Sequence, residues 1–390
     1  MANTNLSNAK AAKNDEFYTQ YADIQKEVNA YLDYDPDVFR GKTVLLPCDD
    51  PEWSNFTKFF AQNFELLGLK KLISTSYAYE SKKLKGPIQL TFFETDAPQY
   101  DASKTQTHGK IFVLDHDVNG DSRININDLQ WQYLEGDGDF RSKEIRKLRD
   151  EADIIVTNPP FSLFREFIAW LMEAKKLFII IGTMNAISYK EIFPLLMNNK
   201  MWLGNGFQNG NAFFRVVTER DYADGVYDAG TGLVKFRNCC WFTNIDHGRR
   251  HQPLKLMTLA ENFKHSKHKE IKEKKEYLHY DNCDAIEVPY TDAIPSDYEG
   301  VMGVPISFLD KYCPEQFEIV GITKTWYGFA NKTYPEQIQI GKDGKQSKVS
   351  KLNDGATIKL ANKLEGETYY IVNGEMFTQV YARVLIRKRQ

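Results

Sequence analysis

No run of about 20 apolar residues occurs in this 390-residue chain, although 42% of it is hydrophobic, so the sequence offers no membrane-spanning helix. The five cysteines, Cys48, Cys239, Cys240, Cys283 and Cys313, form no CxxC pair and no metal-ligand spacing. That removes zinc ribbons and disulfide scaffolds from the field, and reduced thiols in a cytoplasmic protein are the expectation. Seven histidines give no HExxH; His265 and His268 fall in a Lys/Glu-rich run and read as a solvated face. Met1 to Asn14 is polar and lacks the apolar centre of a signal peptide, so residues 1–16 are expected to form a flexible leader. A glycine-rich turn after the first strand is also missing. Leu46-Pro47-Cys48-Asp49 stands there instead, which counts against a dinucleotide enzyme, whose phosphates need a nest of backbone N–H groups.

What is present has the rhythm of an α/β protein. Short apolar runs at Thr43–Leu46, Leu72–Ile73, Ile111–Leu114, Ile154–Val156 and Leu177–Ile181 read as buried strands. Helical patterns separate them: Phe56, Phe59, Phe60, Phe64 and Leu67 form one stripe. Leu163, Phe164, Phe167, Ile168, Leu171 and Met172 form another, with Ser162 expected as its N-cap. Ile187 to Met197 reads as a further helix. The order implies a doubly wound, mostly parallel, Rossmann-like sheet that binds its ligand at the carboxyl ends of the strands. The charge run from Phe263 to Tyr277 reads as a solvated helix or linker. From Phe317 onward, Gly-Lys-Asp-Gly, Asn-Asp-Gly and Asn-Gly turns separate Ile/Val/Thr/Tyr runs, the pattern of a smaller β-rich unit. Residues 301–390 hold 13 Lys and Arg against 9 Asp and Glu, whereas the whole chain carries a net charge of −3. The C-terminal part is therefore the basic one, a distribution compatible with phosphate contact.

Asn158-Pro159-Pro160-Phe161 lies between a buried strand and a helix, hence at the ligand edge of such a sheet. An exocyclic amino group on a planar ring is a poor nucleophile because its lone pair is delocalised. Two acceptors aimed at its N–H bonds localise that pair. The Asn158 side-chain oxygen is one acceptor, and the Pro159 carbonyl can be the other. The prolines bring no competing N–H and stiffen the turn. Phe161 offers a flat face to a base, and Pro160 and Phe161 join Asn158 as candidate substrate contacts. Such a loop supports direct methyl transfer by positioning and polarisation.

The chain resembles the EcoRI-type adenine-specific DNA methyltransferases over almost its whole length. The matching segments are Asn14 to Gln20, Pro47 to Pro51 with Ser54-Asn55-Phe56, Gly136 to Ser142, Ile154 to Phe164, and Gly300 to Pro305 with Phe308-Leu309-Asp310. The resemblance implies S-adenosylmethionine as methyl donor, double-stranded DNA as substrate, a methyltransferase domain over 17–285 and a target-recognition region over 286–390. It implies that Asn158 and Pro159 hold the adenine amino group, and that Phe161 stacks on the base. Pro47, Asp49, Asp50 and Pro51 would form the cofactor turn. Phe17, Tyr18 and Thr19 would close over the methionine part, and Asp139 and Phe140 would touch the cofactor's adenine. Where an acid for the ribose is usual, the chain reads Ile73-Ser-Thr-Ser-Tyr77; Glu80 and Glu94 are the candidates for that ligand. A restriction-modification or phage/host modification setting, with a cognate endonuclease, is the implied context.

Asp117, Asn119, Asp121, Asn125 and Asp128 occupy positions 1, 3, 5, 9 and 12 of a calcium-type loop. Ser122 replaces its usual glycine and Asp128 its usual glutamate. The segment is open between a structural calcium site and a polar surface turn, and no catalytic metal is expected. Methylation of cytosine N4, RNA adenine or protein glutamine could use a loop like Asn158–Phe161. A DNA-binding protein without catalysis is the alternative from another class. Reaching an adenine inside a duplex requires flipping it out, and reading the sequence requires side chains in a groove. The C-terminal basic residues, the glycine turns and Asn205 to Asn211 are the candidates for that reading.

Overall fold

The computed structural model describes residues 18–49, 54–78, 98, 100–207, 211–215, 225–363 and 366–389. The chain forms two compact units. The first runs to Met184 and resumes over Met201–Gly248; the second takes Asn185–Lys200 and everything from Arg249 on. Strands are numbered in chain order.

The first unit is built on an eight-stranded sheet. Its strands are β2 (Thr43–Leu46), β3 (Lys71–Thr75), β4 (Lys110–Leu114), β5 (Gln130–Tyr133), β6 (Ile154–Thr157), β7 (Leu177–Thr183), β8 (Trp202–Leu203) and β12 (Cys239–Thr243). The order is β5-β4-β3-β2-β6-β7-β12-β8. The central strands β3, β2, β6 and β7 are parallel, with Val44 opposite both Leu72 and Ile154, and Ile154 opposite Leu177. Every residue of β2 and β6 is buried, as strands covered on both faces must be. This is the expected doubly wound sheet. Its flanks differ from the core: β4 and β12 run antiparallel to their inner neighbours. Because β2 lies between β3 and β6, chain order reverses at β2, which makes its carboxyl end the switch point where such sheets open a crevice.

Helices cover this sheet through aromatic stripes. Helix Asn55–Gln62 buries Phe56, Phe59 and Phe60, and Ser54 caps it by accepting from Phe56 N at 3.1 Å. Each such ring contributes roughly 1.5–3 kcal/mol by leaving water, more than the cap's ~1 kcal/mol, so the stripe anchors the helix and the cap fixes where it starts. The stripe breaks at Asn63, whose amide turns back to the Phe59 carbonyl at 2.8 Å, and a second turn, Phe64–Leu67, ends at Gly68 with φ +62°. A second small sheet, in the order β1-β9-β11-β10, joins β1 (Tyr18–Thr19), β9 (Asn211–Arg215), β11 (Leu233–Arg237) and β10 (Tyr227–Asp228).

In the second unit the helix expected over Ile187–Met197 is two pieces, a 3-10 segment Met184–Ser188 that begins at the unit boundary and a helix Phe193–Met197. Pro194 falls in the first turn of the latter, where a helix tolerates it because its missing N–H would have no intrahelical partner there, and that missing donor cannot extend the ladder back toward Ser188. The charge run is likewise two short helices, Leu259–His265 and Lys269–Lys274. Sheet β13 (Ile286–Glu287), β14 (Met302–Pro305), β21 (Arg383–Lys388) and β15 (Phe317–Ile322) follows in that spatial order. Between β15 and β21 the chain makes a five-stranded sheet: β16 (Gln337–Ile340), β17 (Gln346–Val349), β18 (Thr357–Leu360), β19 (Tyr369–Val372) and β20 (Glu375–Gln379), ordered β17-β16-β19-β20-β18. The expected β-rich C-terminal region is thus present. Among the described residues no helix is long and apolar enough to cross a membrane.

Candidate active site

The carboxyl ends of β2, β3 and β6 bring together residues far apart in sequence. Thr157, the last residue of β6, is fully buried, and its hydroxyl donates to Asp49 Oδ2 at 2.6 Å. Asp49, three residues beyond β2 and 5% exposed, accepts at its other oxygen from Ser54 Oγ at 2.8 Å. The Asp49 carbonyl accepts from Ser74 Oγ in β3 at 2.8 Å, and Thr57 Oγ1 pairs with Ser74 Oγ at 2.8 Å. Thr75 Oγ1 donates to the Pro47 carbonyl at 3.2 Å. The ends of β3 and β6 are therefore tied through hydroxyls to the turn that follows β2.

Asn158 follows Thr157 directly. Asn158 is half-buried, Pro159 is buried, and Pro160 and Phe161 are half-buried. The Pro160 carbonyl accepts from Leu163 N at 2.9 Å, closing a 3-10 turn over Phe161–Leu163. Helix Phe164–Glu173 starts only after that turn, with Leu163 rather than Ser162 at its cap position and no side-chain cap. The proline-led turn supplies the geometry that a Ser cap would otherwise supply. The Phe161 ring meets Phe214 of β9 and Phe236 of β11 edge-on, with centroids 6.4 and 6.1 Å away.

The small sheet also carries the N-terminal segment. Tyr18 and Thr19 pair with Arg215 and Phe214, so Thr19 lies beside the residue against which Phe161 rests. The Thr19 carbonyl accepts from Asn55 Nδ2 at 2.7 Å. Tyr18, Thr19, Pro47, Asp49, Asn158, Pro159, Pro160 and Phe161 are thereby linked through contacts at one edge of the sheet. Phe17, Asp50, Pro51, Glu80 and Glu94 lie outside the described residues.

Asp139 and Phe140 reach the same edge by way of β3. Gly138 has φ +83°, and a Cβ there would stand 2.2 Å from the Ser76 carbonyl, so only glycine lets the 137–140 backbone lie on the end of β3. Ala78 N donates to the Asp137 carbonyl at 2.7 Å. The two side chains, however, have partners of their own. The Asp139 carboxylate takes Arg141 through both oxygens, at 2.9 and 2.6 Å. The Phe140 ring, 5% exposed, packs on Phe167 and Trp170 with centroids 5.1 and 5.6 Å away.

Several contributors to this edge belong to no sequence motif. Glu27 is fully buried in helix Tyr21–Leu32; it accepts from Asn205 N at 2.9 Å, Gly206 N at 3.0 Å and Tyr31 Oη at 2.8 Å. Burial and then Glu27 push the Tyr31 phenol well above its ordinary value, so it stays a donor. Glu27 thus anchors the start of the Asn205–Asn211 run. A glutamate inside an apolar helical stripe was the available signal. Thr157 was visible only as a hydroxyl ending an otherwise aliphatic strand.

The 117–128 loop serves its own backbone. Asp117 accepts from Gly120 N and Ser122 N, both at 2.7 Å. Asp128 accepts from Val118 N at 3.0 Å, Asn119 N at 3.2 Å and Asn125 N at 2.9 Å. Among the described residues no group of three or more His, Cys, Asp or Glu side chains is placed to hold a metal ion.

A family model described as adenine-specific methyltransferase EcoRI matches residues 5–389. The type II methyltransferase M.EcoRI of Escherichia coli is 41% identical over 323 residues, 82% of this chain and 89% of that protein. M.MpnI of Mycoplasma pneumoniae is 34% identical, over 81% of this chain and 84% of its own. M.MgeORF184P of Mycoplasma genitalium is 32% identical, over 81% and 85%. No solved structure matches the chain.

Proposed function

This chain belongs to the EcoRI-type adenine-specific methyltransferase family, and from that premise we propose that Asn158, Pro159 and Phe161 carry methyl transfer to the N6 amino group of an adenine flipped out of double-stranded DNA. The supporting observation is the place of the Asn158–Phe161 loop: it caps β6, beside the switch point at β2, with Asn158 and Phe161 half-exposed and Pro159 locked in the core. A base entering there meets Phe161, which is held edge-on by two further rings and so presents a fixed face. Asn158 Oδ1 accepts one amino N–H and the Pro159 carbonyl the other. The nitrogen is drawn toward tetrahedral geometry, and its lone pair is localised toward the end of β2. Positioning and polarisation lower the barrier; no covalent enzyme intermediate is needed.

The strand ends suit S-adenosylmethionine. The donor set around Asp49 is made of hydroxyls and carboxylate, and Gly138 makes the wall beside β3 out of main chain, which offers N–H and C=O groups to a purine edge. When bound, S-adenosylmethionine supplies an electrophilic methyl group on its sulfonium centre. Tyr18 and Thr19, with Phe17, would cover its methionine part. Pro47 and Asp49, with Asp50 and Pro51, would form its turn. Asp139 and Phe140 would border its adenine, Phe140 through its main chain because its ring is packed elsewhere.

Residues 17–285 we assign to methyl transfer and 286–390 to target recognition. The latter region holds an open cavity of about 540 Å³ lined by Gln339, Gln379, Lys324, Lys351 and Tyr381. Beside it the β16–β17 hairpin exposes Lys342, Lys345 and Lys348. A two-stranded ribbon fits the major groove, and glutamine can pair bidentately with adenine. A cognate restriction endonuclease acting on the same site, and a cytoplasmic location in keeping with the five free thiols, complete the reading. Sequencing of modified bases in DNA from cells expressing the protein tests it. N6-methyladenine at one recurring sequence is expected. N4-methylcytosine would move the substrate, and sequence-specific DNA retardation with no methyl transfer would leave only a binding protein.

A further inference from the structure

Thr157 is out of place by packing alone. The residues before it in β6, Ile154, Ile155 and Val156, are fully buried aliphatics, and Thr157 is fully buried too. A valine would fill that volume without a hydroxyl to satisfy. The hydroxyl is directed at a single group, Asp49 Oδ2 at 2.6 Å. Asp49 in turn holds Ser54 at its other oxygen and Ser74 at its carbonyl. Ser54 begins helix Asn55–Gln62, whose first residue holds the Thr19 carbonyl at 2.7 Å. One chain of hydrogen bonds and adjacent peptides, buried from Ser54 to Thr157, therefore connects strand β1, the turn after β2, and the residue immediately before Asn158.

We propose that Asp49 and Thr157 are positioning residues that couple occupancy of the turn after β2 to the placement of Asn158. The inference rests on the reading of Asn158 as the adenine-holding residue. Asp49 is a two-oxygen strut: a displacement that a ligand imposes on the Pro47–Asp49 turn moves its carboxylate, and the Thr157 hydroxyl must follow or lose its acceptor. Thr157 has no slack of its own, being the last paired residue of a fully buried strand, opposite Ile180 of β7. The shift is passed to the next peptide, which carries Asn158. Cofactor and DNA then bind with positive coupling, and by linkage each raises affinity for the other by the same factor.

The experiment measures binding, not turnover. Affinity of the full chain for S-adenosylhomocysteine is determined by calorimetry, with and without a saturating duplex that carries the methylated site. Wild type is expected to show coupling of about 5- to 150-fold. Thr157→Val keeps β-branching and volume; its coupling is expected to fall to near one, with kcat reduced more than KM. Thr157→Ser, which keeps the hydroxyl, is expected to restore both. Ser54→Ala, which leaves Thr157 intact but removes the Ser54 hydroxyl from the other oxygen of Asp49, is expected to reduce coupling partially. Wild-type coupling of one would overturn the proposal, and so would coupling in Thr157→Val equal to wild type, even if that variant binds everything more weakly. Absence of methyl transfer by wild type would instead sink the enzymatic reading, a separate outcome from a change in coupling.

Discussion

Replacing Glu287 by alanine should destabilise the second unit by an amount that the geometry sets. Glu287 in β13 and Arg383 in β21 have side chains only 9% and 13% exposed. Arg383 reaches one carboxylate oxygen through Nη2 at 2.6 Å and through Nε at 3.0 Å. The Tyr280 phenol donates to the other oxygen, and it gets that close because Gly303 has no Cβ to block it. Removing the carboxylate leaves a buried guanidinium without its counter-charge, which costs about 3–5 kcal/mol. For a unit of this size that lowers the melting temperature on the order of 10 °C. Thermal unfolding followed by circular dichroism reads the shift. Glu287→Met with Arg383→Met should recover much of the loss, since two apolar side chains replace the pair. Adding Tyr280→Phe should recover more by removing the orphaned phenol, a group worth about 1–3 kcal/mol when buried without a partner. A Glu287→Ala protein melting within about 1 °C of wild type would mean that the Arg383 guanidinium is not left unpaired, since 3 kcal/mol cannot shift a unit of this size by so little. The same triad gives a pH dependence. Burial and then Glu287 hold the Tyr280 phenol well above its ordinary value. Its stabilisation is therefore complete below an unfolded pKa of about 10 and is lost as pH rises toward and through the folded value.

Asn158→Ala should cut turnover by about 10²–10³ with DNA binding largely retained, because one of two polarising acceptors is removed; single-turnover tritium transfer with a mobility-shift control measures both, and near-normal turnover would remove Asn158 from its role. Converting Lys342, Lys345 and Lys348 together to alanine should flatten the dependence of log Kd on log salt by about 2–3, roughly 0.9 for each phosphate no longer neutralised; an unchanged slope would take the β16–β17 hairpin off the DNA. Burial pushes the Cys239 thiol up to about 12, so iodoacetamide at pH 8 should leave it unmodified in the native protein and alkylate it after denaturation, as peptide mass spectrometry would show.

Much of the fold was written in periodicity. Continuous aliphatic runs such as Ile154–Val156, short and bounded by polar residues, read as strands buried on both faces, and the aromatic stripe from Phe56 to Leu67 reads as a covered helix, which the structure divides at Asn63, so the sheet and its ligand edge followed. Ends and breaks were less legible, because they depend on competition between local signals. Ser162 looks like a cap, yet the Pro160 carbonyl closes a turn over it first. Antiparallel flanks were hidden because a buried strand reads alike in either direction. The Asn158–Phe161 loop, the candidate for catalysis, was legible because four consecutive residues carry it. The strut behind it was not: Asp49 and Thr157 are 108 residues apart, and neither residue type announces the other. Phe140 shows the converse. Its segment is family-like, but the ring's value to the protein is packing against Phe167 and Trp170, which only the three-dimensional contacts reveal.

The antiparallel pairing of β12 with β7 sets a schedule for synthesis. Thr183 must find Cys239, and all of Met184–Asn238 emerges between them. At about 5–20 residues per second the ribosome takes several seconds to deliver β12. For that interval β7, an almost wholly apolar strand, stands at the border of a half-made sheet with its ladder groups unpaired, the condition that invites pairing with another chain. The nascent protein is therefore most vulnerable midway through translation, and yield should respond to slower growth temperature or to chaperones that shield strand edges more than to any change in the finished molecule.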